Sequence, residues 1–81
     1  MATKTFKIGE YAVGGIIRAT VAKKAVKIQA LDWTTKQVVS ERSFTHDFSL
    51  SKWDIESYLN DLTSCYYADK VLNWIFPQPS R

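Results

Sequence analysis

The sequence predicts an α+β fold: a four-stranded antiparallel sheet, then a covering helix, with a helical extension at the carboxy-terminal end (ββββα plus extension). Three observations point there. Residues 16–33 alternate apolar and polar with a period of two, interrupted at Lys23-Lys24. Residues 51–76 instead space their apolar side chains at three and four, the period of a helix. Strand-like and helix-like segments are thus segregated along the chain rather than alternating, which favours an antiparallel sheet over a parallel one.

The first strand begins near residue 4, with Phe6 and Ile8 on one side and Thr5, Lys7, Gly9 and Tyr11 on the other. Gly9 suggests a bulge or bend, and Gly14-Gly15 is the strongest turn signal in the chain. In the second strand, Ile16 to Lys23, the residues Ile17, Ala19 and Val21 read as core, and Ile16, Arg18, Thr20 and Ala22 as the opposite face. Lys23-Lys24 makes the hairpin turn without the Asn-Gly chemistry of a primed turn. In the third strand, Ala25 to Trp33, Val26, Ile28 and Ala30 face the core, while Lys27, Gln29, Leu31 and Trp33 face away. Thr34-Thr35-Lys36 is a turn. The fourth strand, Gln37 to Phe44, alternates poorly and reads as an edge strand.

A polar connector, Thr45-His46-Asp47, leads to the helical region. Ser51-Lys52-Trp53-Asp54 fits a capping box, and Asp54 and Glu56 suit the positive end of a helix dipole. Ile55, Leu59, Leu62 and Tyr66, with Tyr58 and Cys65, form the stripe expected to cover the sheet, and Trp53 is expected in the core. Weak helix formers at Thr63-Ser64-Cys65 favour a break there. Val71, Leu72, Ile75 and Phe76 continue to Pro77, which stops the helix, and residues 78–81 read as a frayed tail.

With 81 residues, one domain over 1–81 is expected. At 46% hydrophobic and 23% charged residues, the composition is that of a folded globular chain. One cysteine, no signal-like amino terminus and no apolar run of membrane-spanning length lead to the expectation of a cytoplasmic protein without membrane contact. The charge is uneven: residues 1–46 hold eight Lys or Arg against three acids, and residues 47–81 three against five. Such asymmetry steers a polyanion toward the strand-bearing half.

Catalytic chemistry finds little footing. One His and one Cys fall short of a zinc site, and Gly14-Gly15 lacks the rest of a phosphate loop. Cys65 on the apolar stripe reads as a buried inert thiol, and His46 as solvated or as a hydrogen bonder at the helix start. The expectation is a non-enzymatic protein without cofactor or metal. The candidate site is the outward sheet face: Lys7, Tyr11, Arg18, Lys27, Gln29 and Trp33, with Thr20 among them and Lys23 and Lys24 at the turn. Cations that follow phosphates, beside aromatics that stack on bases, suit single-stranded DNA or RNA. A plainer reading has Trp33 packed under a loop and the lysines merely solvated. Tyr66, Leu72, Trp74 and Phe76 exceed what one small sheet covers and suggest a homodimer seam, against a plainer reading as a local cluster. An interaction or assembly module is the alternative function.

Phe6-Lys7-Ile8-Gly9, Val26-Lys27-Ile28 with Trp33, and Ser49-Leu50-Ser51-Lys52-Trp53, in the order ββββα, resemble the Whirly and transcriptional-coactivator superfamily of single-stranded DNA-binding domains over about residues 5–62. The resemblance implies a curved sheet that binds single strands through Lys7, Arg18, Lys27, Gln29 and Trp33, and helices that mediate dimerisation. The helical extension at 66–76 and the brief hairpin loops depart from that pattern.

Overall fold

A computed structural model describes residues 1–77; the tail expected over 78–81 lies outside the described residues. Four strands, β1 (Ala2–Lys7), β2 (Gly15–Val21), β3 (Ala25–Asp32) and β4 (Val38–Thr45), form one antiparallel sheet in the order β1-β2-β3-β4. Two helices follow, α1 (Phe48–Leu62) and α2 (Cys65–Ile75). The α+β architecture is thus as the sequence predicts, and the chain breaks into two helices at Thr63-Ser64.

The register explains the two faces. Phe6, Ile17, Ala30 and Ser40 lie in one row across the sheet, and Lys4, Ala19, Ile28 and Arg42 in another. Ile17, Ala19, Val26, Ile28 and Ala30 from this face join Ile55, Leu59, Leu62, Ala68, Val71, Leu72 and Ile75 in one buried core. Both helices therefore cover the same side. Each fully buried Ile or Leu contributes about 1.5–3 kcal/mol, more than the roughly 1 kcal/mol of a helix cap. Packing thus decides that α1 exists, and the cap decides where it starts.

That start differs from expectation. Asp47, not Ser51, is the N-cap: its carboxylate accepts from the backbone N–H groups of Ser49 (2.9 Å) and Leu50 (3.2 Å). Ser51 is buried one turn inside the helix. Trp53, expected in the core, is 73% exposed. It lies two residues before Ile55, roughly 200° round the helix and so away from the sheet.

The break after Leu62 is stitched to the loop between β1 and β2. The first strand is shorter than expected, ending at Lys7, and Gly9–Tyr11 form a short 3-10 turn. Val13 donates its N–H to the Leu62 carbonyl at 2.7 Å, the Thr63 hydroxyl donates to the Tyr11 carbonyl, and Ala12 bridges Thr63. The Leu62 carbonyl is thus taken by another segment, and Thr63 is fully extended. Cys65 then falls in the first turn of α2 and is exposed, not buried as the continuous stripe implies. At the other end of α2, the His46 ring is half-buried. Its Nε2 lies 3.2 Å from the Ile75 carbonyl, which as an acceptor requires the proton on Nε2, and the ring stacks on Phe76 at 5.2 Å.

Turns follow local chemistry. Asp32 accepts the N–H groups of Thr34 (2.8 Å) and Thr35 (2.9 Å), and Lys36 takes a positive φ of 65°. The Lys23-Lys24 turn closes with an Ala22 to Ala25 hydrogen bond of 2.8 Å, and neither lysine takes a positive φ, so the turn is unprimed. No described helix is long and apolar enough to cross a membrane.

Candidate functional site

The second face of the sheet carries no helix. Three rows cross it: Thr3, Thr20, Lys27 and Ser43; Thr5, Arg18, Gln29 and Glu41; and Lys7, Ile16, Leu31 and Val38. Five of the eight residues expected to bind nucleic acid fit this face: Lys7, Arg18, Lys27 and Gln29 lie in these rows, and Trp33 continues the parity of Leu31 just beyond β3. Lys23 and Lys24 are exposed at the β2–β3 turn, at the opposite end of the sheet from Trp33.

Tyr11 does not join them. Because β1 ends at Lys7, Tyr11 lies in the 3-10 turn and stacks on Tyr67 of α2, with ring centroids 6.0 Å apart. Its ring therefore braces the loop against the helical layer.

The middle row is a closed polar ladder. Arg18 Nε donates to Gln29 Oε1 at 2.9 Å, and Gln29 Nε2 donates to Glu41 Oε1 at 2.7 Å. Gln29 is 9% exposed, so its amide is committed within the protein rather than open to a ligand. Sequence reasoning missed Glu41, which puts an acid on the candidate face. The third row is partly apolar: Ile16 and Leu31 are paired and buried although no helix lies over them.

The cations at the margins are freer. Lys7, Lys23, Lys24 and Lys27 are exposed, and the one ion pair among the described residues is Lys52–Glu56 at 3.9 Å, on α1. Trp33 is 48% exposed, and Lys36 holds its ammonium 5.5 Å from the ring centroid while donating to the Trp33 carbonyl. Lys36, left out of the expected site, thus adds a cation beside the one exposed aromatic ring of this face. The acids gather on the other layer: Asp54, Glu56, Asp61 and Asp69 lie on the helices and Asp47 caps α1, against Lys52 and Lys70.

Asp32, next to Trp33, is the last residue of β3. Its carboxyl is held below the ordinary aspartate value, first by the N–H of Thr35, then by that of Thr34, with the Thr35 hydroxyl and Lys36 adding to this against a desolvation that raises it. It stays ionised at neutral pH and holds the turn through these contacts. Among the described residues no three His, Cys, Asp or Glu side chains come together to hold a metal ion.

Of the residues expected at a dimer seam, Leu72 is buried in the core. Trp74 packs edge-on against Phe6 at 6.4 Å, and Phe76 packs against His46 and, at 5.4 Å, Phe48. These three pack within their own chain. Tyr66 alone of the four is mostly exposed. Three further exposed apolar side chains stand at the start of α1, where Leu50 is 71% exposed near Phe48 and Trp53 in the chain. Lys52 spans both rings there, 4.5 Å from the Trp53 centroid and 5.9 Å from that of Phe48.

In comparisons with known proteins, no family model, no curated protein and no solved structure matches the chain.

Proposed function

We propose that this chain is a small binding module without catalytic machinery, which takes single-stranded nucleic acid on the helix-free face of its sheet. The observation that carries the reading is the sidedness of the charge. Lys7, Lys27 and the turn lysines stand free on or beside the open face, whereas the acids are concentrated on the helical layer. A polyanion approaching such a molecule is steered to the sheet. Thr20 and Ser43 flank Lys27; the Thr20 hydroxyl accepts from that of Thr3 at 3.2 Å and, like that of Ser43, can donate its own proton to a phosphate. Trp33, with Lys36 beside it, offers a stacking surface for an unpaired base.

The test is fluorescence anisotropy with labelled single-stranded and duplex DNA at low and high salt. Tighter, salt-sensitive binding of the single strand is expected, and Trp33→Ala is expected to weaken it about five- to hundredfold without unfolding the protein. Absence of binding at low salt would refute the reading.

A second reading, an interaction or assembly module, draws on the exposed Phe48, Leu50 and Trp53. With a second copy of the chain as partner, it expects a concentration-dependent mass in sedimentation that Trp53→Ser abolishes, and no response to nucleic acid.

A further inference from the structure

The loop between β1 and β2 and the end of β3 enclose an open cleft lined by Gly9, Glu10, Ala12, Gly14, Gly15 and Trp33, with a volume of about 390 Å³. That lies within the range of small-ligand sites. Glycine lets the loop approach β3 this closely. Gly9, Gly14 and Gly15 all take positive φ. A Cβ on Gly15 would stand 3.1 Å from Trp33 Cβ and 3.2 Å from its Cε3, so the indole lies against bare backbone. A Cβ on Gly9 would meet nothing within 4 Å, so the volume beside Gly9 is open.

The polar groups of the cleft are selective in kind. The backbone carbonyls of Gly9, Ala12, Gly14 and Gly15 already accept from Ala12, Gly15, Trp33 and Ile8. Glu10 is exposed and takes part in no ion pair among the described residues, so its carboxylate is the free acceptor at the rim. Lys7, at the end of β1, and Lys36, over the Trp33 ring, stand nearby as cations for a backbone phosphate.

We infer that this cleft receives one unstacked nucleobase of the strand crossing the sheet, and that it prefers guanine. The inference rests on the nucleic-acid reading above and adds a base specificity to it. A planar base stacks on the exposed part of the indole, displacing the Lys36 ammonium that lies 5.5 Å from its centroid toward the strand's phosphate. An ionised carboxylate is acceptor-only, and its two oxygens can take two parallel donors. Guanine presents two adjacent donors, N1–H and the N2 amino group, to such a carboxylate. Adenine and cytosine set an acceptor beside their donor, and thymine flanks its single N–H with carbonyls, so each brings a lone pair against the carboxylate.

The experiment compares labelled oligothymidine strands that carry one central guanine, adenine, cytosine or no substitution, against wild type and Glu10→Gln. Glu10 is exposed on a loop, and far-UV circular dichroism checks that the variant folds. The wild type is expected to bind the guanine strand about tenfold tighter than the unsubstituted one. Glu10→Gln is expected to erase that margin while binding the unsubstituted strand at least as well. Equal binding of all four strands by the wild type, or a margin that survives in Glu10→Gln, overturns the base preference and leaves the sheet reading standing. Failure of every strand to bind overturns both.

Discussion

Gly14 connects the fold to the cleft, and replacing it with alanine should disturb both. An alanine at its φ of +73° meets the left-handed penalty of about 1–2 kcal/mol, partly offset by the roughly 0.4–1 kcal/mol that a stiffer unfolded chain returns. The new Cβ would also stand 2.5 Å from the Leu31 carbonyl oxygen and 2.9 Å from its carbon. Both are backbone atoms of a central strand, so they cannot swing aside like the end of a side chain. Forcing such a shift costs about 1–3 kcal/mol more, by analogy with overpacking a core. The total is about 1–4.5 kcal/mol. Gly9 supplies the control: its φ of +84° carries the same backbone penalty, but a Cβ there touches nothing within 4 Å. Gly9→Ala should therefore cost about 1 kcal/mol or less. Urea denaturation followed by circular dichroism reads both, with the slope checked for constancy. In heat, the two variants should separate by roughly 4–8 °C for each kcal/mol between them. Because the Gly14 carbonyl accepts the Trp33 N–H at 2.7 Å, Gly14→Ala should also weaken nucleic-acid binding more than Gly9→Ala does. Equal destabilisation by the two substitutions would refute the steric argument.

Other expectations follow from single contacts. Asp47→Ala should lower stability by about 1 kcal/mol, since it removes the acceptor of two N–H groups at the start of α1, while Ser51→Ala should not show the loss of a cap; thermal melts of the two variants check this. Asp32, whose folded-state pKa is depressed, contributes stability that is fully present above the unfolded aspartate value and is lost as pH falls through the lower folded one. The stability difference between wild type and Asp32→Asn, measured by denaturation across acidic pH, should accordingly shrink through that window, and a difference independent of pH would argue against the turn contacts. Lys27→Ala should reduce the salt dependence of single-strand binding by about one phosphate's worth, whereas an unchanged slope would place the backbone elsewhere.

The central hairpin was legible because both of its strands keep a period of two over most of their length, Ile16 and Leu31 apart, so Ile17, Ala19, Val26, Ile28 and Ala30 fall on one face. The helical region was legible in its stripe but not in its start. Asp47 is followed by Phe48 and Leu50, apolar residues that the fold leaves exposed, so no amphipathic signal marks the first turn, and the rival Ser51-Asp54 spacing took its place. The phase of Ile55 already directed Trp53 away from the sheet, and only its size argued for burial. Cys65 follows Leu62 by three residues and would continue the stripe of an unbroken helix; the weak helix formers at Thr63-Ser64-Cys65 marked the break, but the long-range contacts of Val13 and Thr63 that fix it, and so expose Cys65, could not be read locally.

The candidate face turns on one residue in β4. The register shifts between Ala30 and Leu31: Leu31 pairs with Val38 and Ala30 with Ser40, leaving Val39 as the extra residue of a bulge. That insertion is why the alternation of this strand is poor in the sequence. Continued without it, the pairing would set Glu41 beside Ile28 on the core side and Arg42 beside Lys27 on the open face, adding a fourth cation there. The bulge reverses both. Arg42 moves to the helical side, where its guanidinium lies 5.1 Å from the Phe44 ring centroid, and Glu41 moves beside Gln29 to close the ladder from Arg18. The Gln29 amide of the middle row is thereby satisfied within the protein, while Arg18 keeps its charge outside any ion pair among the described residues. The free positive charge of the face is carried by Arg18 and by Lys7 and Lys27 in the rows on either side, with Lys23 and Lys24 at one end of the sheet and Lys36 beside Trp33 at the other. A strand bound on this face would be held along those margins, so single lysine substitutions there should change the salt slope more than a change at Gln29, whose hydrogen bonds are already spent inside the fold.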